Sequence, residues 1–152
     1  MNGPFASRDM NEIHAYWLAK RGQRRMPSRW DIDPAEIPRL LRNLMLIDVS
    51  HDPIRFRYRL IGSNVVDATG EDRTGRWFDT VDFIAANPIV KEQYVTAVNT
   101  GEPVHATEPF HLRGTRLTYE VERLLLPLSS DSGAVDMILA YFDFKRDGFV
   151  AR

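Results

Sequence analysis

The chain contains no cysteine. That excludes disulfides, thiolate metal sites and a thiol nucleophile, and it suits a reducing compartment. An excess of either charge is missing too. Twenty Lys and Arg stand against 21 Asp and Glu, a net charge of −1, so no overall field draws the chain to nucleic acid or to a membrane surface. No apolar run approaches the ~18 residues that span a bilayer, and the polar stretch Met1–Asp9 has no signal-peptide core. The expectation is a cytoplasmic protein with no nucleic-acid or membrane partner. Catalytic signatures are absent as well: there is no Gly-x-Ser-x-Gly elbow, no phosphate loop and no His-Glu zinc pair. An enzyme is not expected.

What is present is enough chain, 152 residues, to build one domain with a core that buries roughly 68–70% of its unfolded surface. A first helix is expected over about 10–21, capped by Asp9 or Asn11 and stopped at Gly22. Its residues Ile13, Tyr16, Trp17 and Lys20 share one face at three- and four-residue spacing. Asp33-Pro34-Ala35-Glu36 reads as a cap followed by proline at the first helical position. Leu44 to Val49 is nearly continuous apolar, a strand covered on both faces. After the turn His51-Asp52-Pro53, Ile54, Phe56, Tyr58 and Leu60 alternate with Arg55, Arg57 and Arg59, the pattern of a strand with one wet face. Short helical pieces fill Gly62–Asn87, and Pro88 opens a longer helix to about residue 100, with Gly101 as its stop. Three strands close the chain, near 103–112, 115–128 and 134–144. Pro109 marks the first as an edge or bulged strand, and Gly114-Thr115 marks the turn after it. The α+β sum is one five-stranded antiparallel sheet, its helices gathered on one face, with the N-terminal helix left to cover the other.

Several stretches carry a resemblance. They are Arg24-Arg25-Met26-Pro27-Ser28-Arg29, Ile32 to Pro38, Leu44 to Val49, Phe56 to Gly62, Thr74-Gly75-Arg76, Glu122 to Ser129 and Val135 to Leu139. In these the chain resembles the PAS domain family, and within it a subfamily of short, stand-alone alphaproteobacterial-type bacterial proteins, from about residue 12 to 144. The resemblance implies a single PAS domain over residues 1–152, with its core at about 43–144, a sheet in spatial order 2-1-5-4-3 and a small cavity between sheet and helices. It also implies binding of a small molecule or a partner protein. Flavin photosensors of this fold use a cysteine that this chain does not have. Haem-binding members place a histidine on the long helix, and here none of the four histidines, His14, His51, His105 and His111, lies there. No cofactor and no metal site are therefore expected.

The expected cavity lining is Phe56, Tyr58 and Leu60 from strand two, Tyr94 from the long helix, and Met137, Leu139 and Tyr141 from the last strand. Apolar walls with a few hydroxyls suit a small apolar or amphipathic ligand, and the same residues would equally serve as filled core. Ile13, Tyr16, Trp17 and Leu18 are the expected interface of a homodimer. The arginine stripe of strand two reads as cross-strand ion pairing with Asp48, Asp136, Glu120 and Glu122. The basic segment at 20–29 reads as a solvated loop. Two functions stand: a ligand-responsive sensory module that signals by association, or a ligand-free interaction module in a bacterial signalling pathway.

Overall fold

A computed structural model describes residues 3–111, 115, 116, 118–131 and 133–146. The turn residue Gly114 and the strand positions Leu112 and Leu117 lie outside these. The strands are β1 (Leu44–Ser50), β2 (Arg55–Ile61), β3 (Val104–His111), β4 (Thr118–Leu128) and β5 (Met137–Arg146). The helices are α1 (Arg8–Arg21), α2 (Ser63–Thr69), α3 (Asp82–Ala86) and α4 (Pro88–Thr100), with short 3-10 turns at Arg29–Asp31, Pro34–Glu36, Pro38–Asn43 and Phe78–Thr80.

All pairings are antiparallel and the order is β2-β1-β5-β4-β3. The two outer strands are the two that carry edge signals. Strand β2 alternates arginines, and β3 holds Pro109 in register with Glu120, where proline's missing N–H can face away from the ladder. The central strands β1, β4 and β5 are the apolar ones, and each is buried from both sides.

One layer is formed by α2, α3 and α4 on the cavity face. Helix α4 ends at Gly101, whose φ of +67° favours glycine. Gly62, after β2, is needed for another reason: a Cβ there would overlap the carbonyl oxygens of Leu41 and Arg42. The second layer is α1, which packs on β4 and β5. Met10, Ile13 and Trp17 are fully buried beneath it, and Trp17 Nε1 donates to the carbonyl of Pro127 at 2.9 Å.

The cap of α1 is Ser7, whose side chain accepts from the Met10 amide at 3.1 Å. Asp9 and Asn11, the expected caps, are engaged elsewhere. Asp9 pairs with Arg39 at 2.5 Å and accepts from the Tyr141 hydroxyl at 3.3 Å. Asn11 is buried and clasps the Phe5 backbone, donating to its carbonyl at 2.7 Å and accepting from its amide at 2.9 Å.

Strand β2 departs from simple alternation. Tyr58 lies opposite Ile47 and Leu60 opposite Leu46, so Arg59 is an extra, bulged residue. Beyond it the facing reverses, and Ile61, paired with Met45, points to the cavity in place of Leu60.

Candidate functional site

The cavity lies between the sheet and the α2–α4 layer. Strands β1 and β2 contribute Met45, Tyr58 and Ile61, β3 contributes Phe110, β4 contributes Val121 and Arg123, and β5 contributes Phe142 and Phe144. The helical side adds Val65, Thr69, Glu71, Arg73, Phe83, Ile84, Val90 and Tyr94. Its volume is about 40 Å³, on the scale of a few water molecules and far below the ~300–1,000 Å³ of sites for drug-sized ligands. An isoalloxazine does not fit it without repacking. The aromatic floor explains the small volume: Phe56, Tyr58, Phe78 and Tyr94 stack in one cluster with ring centroids 4.7–5.6 Å apart.

Polar groups interrupt this apolar wall. Arg123 is 4% exposed. Its Nη1 is paired with Glu108 and also donates to Gln93 Oε1 at 3.0 Å, while Gln93 Nε2 donates to Glu108 Oε2 at 3.0 Å. The guanidinium also lies 5.6 Å from the ring of Phe142, its cross-strand neighbour. Burial lowers the Arg123 pKa, and the nearby Tyr94 and Tyr58 push the other way. Burial also raises the pKa of both phenols, against the opposing pull of Arg123, with Arg73 acting on Tyr58 as well. Both tyrosines are therefore neutral O–H groups.

A wider, solvent-open hollow of about 400 Å³ adjoins the cavity. It shares Thr69, Glu71, Arg73, Phe83 and Phe110 with the cavity and adds Arg76, Asp82, Ala86, Asn87 and His111. Among the shared residues, Phe83 and Phe110 meet edge to face, 5.0 Å between centroids. Arg73 lies over the Phe83 ring at 5.6 Å and is paired with Glu71 at 2.8 Å.

Of the expected lining, Tyr58 and Tyr94 stand at the cavity wall, and Phe56 lies in the aromatic cluster behind them. Leu60 does not: the bulge at Arg59 turns it outward, 55% exposed. Met137, Leu139 and Tyr141 also lie elsewhere, on the opposite, α1 face of β5. They pair with Leu128, Leu126 and Leu124, while Val121 and Arg123 pair with Phe144 and Phe142 on the cavity face. Tyr141 reaches Asp9 of α1, and burial together with the carboxylates of Asp143 and Asp9 raises its pKa. Residue-type reading missed Arg123, Arg73, Phe83 and Phe110. One signal for Arg123 was available, because continuing the Tyr119, Val121 alternation by one step reaches it.

The expected interface residues divide. Ile13 and Trp17 are consumed by the chain's own sheet, so they offer no surface for a second copy. Tyr16 is half-buried and donates to Glu36 at 2.6 Å, and Leu18 is exposed. On the arginine stripe, Arg57 and Arg59 share Asp48 at 3.0 and 3.7 Å, as the cross-strand reading anticipates. Arg55 turns instead to Asp79 at 3.1 Å and to the face of Trp77 at 4.0 Å. In the basic segment, Lys20 pairs with Glu36, Arg24 with Asp31, Arg25 donates to the Thr100 carbonyl and Arg29 to the Ile32 carbonyl. This loop is fastened to its surroundings and not merely solvated. Among the described residues no group of three His, Asp or Glu is placed to hold a metal ion, and no helix is long and apolar enough to cross a membrane.

A five-stranded antiparallel sheet in this order, with short helices and one longer helix enclosing a small cavity against it, is the architecture of PAS domains, a family of sensory and signalling modules. The PAS domain profile matches residues 5–142, and the chain belongs to the PAS domain family. Solved structures agree on the fold. A light-oxygen-voltage domain studied with a flavin analogue superposes with a TM-score of 0.56 at 14% identity, over 76% of this chain and 85% of that one. The light-oxygen-voltage protein of Rhodobacter sphaeroides gives 0.52 at 14% identity, over 74% and 68%. The PAS domain of Bordetella pertussis BvgS gives 0.51 at 16% identity, over 74% and 87%. At these identities the likeness is one of fold. No curated protein matches the sequence.

Proposed function

We propose that this chain is a sensory PAS module that admits a small organic molecule to the cavity between sheet and helices and signals by association, with a second copy of itself or with a signalling protein. The observation that carries this reading is the buried polar group of Arg123, Tyr58 and Tyr94 at the wall of a cavity whose other polar lining is Thr69, Glu71 and Arg73. Burying a guanidinium is costly, and apolar residues of similar volume would serve a purely structural core as well or better. A site that must recognise something gains from such groups.

A second reading, a ligand-free interaction module, is favoured by different residues. Trp30 is 88% exposed and Leu60 55% exposed, and Leu18 is also open to solvent. Exposed large apolar side chains are common singly, but a tryptophan this bare suits a contact surface.

Native mass spectrometry of the freshly purified protein, paired with light scattering, separates the two. A retained small-molecule mass supports the sensor. A homodimer without ligand at tens of micromolar, on the order of ordinary assay concentrations, supports the interaction module. A ligand-free monomer that captures no small molecule in a thermal-shift screen defeats the proposal.

A further inference from the structure

One buried hydrogen-bond donor at the cavity wall has no acceptor. Arg123 Nε–H is buried and meets no acceptor from the protein, although Nη1 on the same guanidinium is satisfied by Glu108 and Gln93. A buried donor left unpaired loses its hydration with no hydrogen bond in exchange, and the loss is greater when it is charged. The phenols of Tyr58 and Tyr94 flank the same space as neutral O–H groups. The nearby carboxylates are already committed, Glu108 to Arg123 and Glu71 to Arg73 and Arg76. A guanidinium has five N–H donors in a planar fork, so one engaged by Glu108 through Nη1 can still receive a second carboxylate along its Nε edge.

We infer that the cavity takes a small organic carboxylate, its head on the Nε edge of Arg123 and its apolar body among Val121, Phe142 and Phe144, entering from the open hollow past Phe83 and Phe110. The inference rests on the ligand-binding reading above and adds the chemistry of the head group. The small resting volume requires the lining to part as the ligand enters. Phe83 and Phe110, in edge contact, border both spaces beside Arg73, and Phe83 lies on the short helix α3 and is only half-buried.

Hexanoate, hexan-1-ol and hexylamine, matched in tail and differing in head, are the probes. Each is titrated into the ¹⁵N-labelled full chain while backbone amides and arginine Nε–H resonances are followed. Hexanoate should shift the amides of Val121 and Phe142 and the Arg123 Nε–H signal, and should bind about tenfold or more tightly than hexan-1-ol, the scale of one charge-assisted hydrogen bond. Arg123→Gln should weaken hexanoate by a similar factor and leave hexan-1-ol unchanged. If that variant does not fold, the wild-type Nε–H resonance decides alone. Equal binding of hexanoate and hexan-1-ol, tighter binding of hexylamine, or an unmoved Nε–H signal overturns the head-group assignment while leaving a ligand cavity in place. No shift at the cavity residues with any of the three overturns both readings.

Discussion

Replacing Glu108 by glutamine removes the charge that compensates Arg123 and changes almost nothing in shape. Arg123 is 4% exposed and cannot turn its guanidinium to water, whereas the Glu108 side chain is 17% exposed. Breaking a buried ion pair from one side costs about 3–5 kcal/mol because the other charge is left stranded. The partial exposure of Glu108 and the retained Gln93 contact place Glu108→Gln near the low end, about 3 kcal/mol. For a chain of this length that is a fall in Tm of about 6–12 °C. Arg123→Met strands only the better hydrated partner and should cost less, about 1–2 kcal/mol. The double variant, with neither charge, should recover most of that summed loss and cost only about 1–2 kcal/mol, giving a coupling of about 3 kcal/mol in a double-mutant cycle. Urea unfolding followed by far-ultraviolet circular dichroism measures all four proteins, provided the slope against denaturant stays constant. A Glu108→Gln cost below about 1 kcal/mol, or a double variant no better than the sum of the singles, would show that the charges are solvated and independent.

Trp17→Phe should lower stability by about 1–2 kcal/mol, since it keeps most of the packing but leaves the buried Pro127 carbonyl without its indole donor at 2.9 Å; a chemical-denaturation midpoint indistinguishable from wild type would count against that bond. Arg57→Ala and Arg59→Ala should each cost under about 1 kcal/mol, because both side chains around Asp48 are substantially open to solvent, 41% and 57% exposed, and loss of folding in either would refute the account. Alkaline stability follows from Tyr58 and Tyr94, whose pKa values in the folded chain lie above the ordinary value near 10. The unfolded chain sheds these protons first, so their contribution is complete below about pH 10 and is lost as pH rises from there toward the folded values. Ultraviolet titration should accordingly show their ionisation only together with unfolding, and their ionisation in a chain that keeps its circular dichroism would contradict the burial.

The strands and long helices were legible because their signals are local. Alternation in Arg55–Leu60, the apolar block Leu44–Val49 and the proline and glycine bounding α4 all depend on neighbours in sequence. What could not be read locally is which face of a doubly covered strand looks at which layer. From Met137 to Phe142 every residue is apolar, so hydrophobicity is silent on parity. Only the register with β4, Arg123 against Phe142 and Leu124 against Tyr141, assigns the even positions to the cavity. Leu60 failed for a related reason, since a one-residue bulge inverts every side chain beyond it. Tyr58 and Tyr94 do face the cavity, because no bulge precedes Tyr58 on its strand and only one face of α4 is buried.

The bond from Trp17 to Pro127 ties residues 110 positions apart, and this sets a timetable for the chain as it leaves the ribosome. Helix α1 emerges well before its receiving surface on β4 and β5 is made. At ~5–20 residues per second the gap is about 5–20 s. During that interval Met10, Ile13 and Trp17 have no sheet to enter, and a helix of 14 residues is only marginally stable alone in water. Newborn chains therefore pass through a stage in which an aromatic, apolar segment waits in solvent. A truncation that removed β5 would leave this helix without part of its receiving surface.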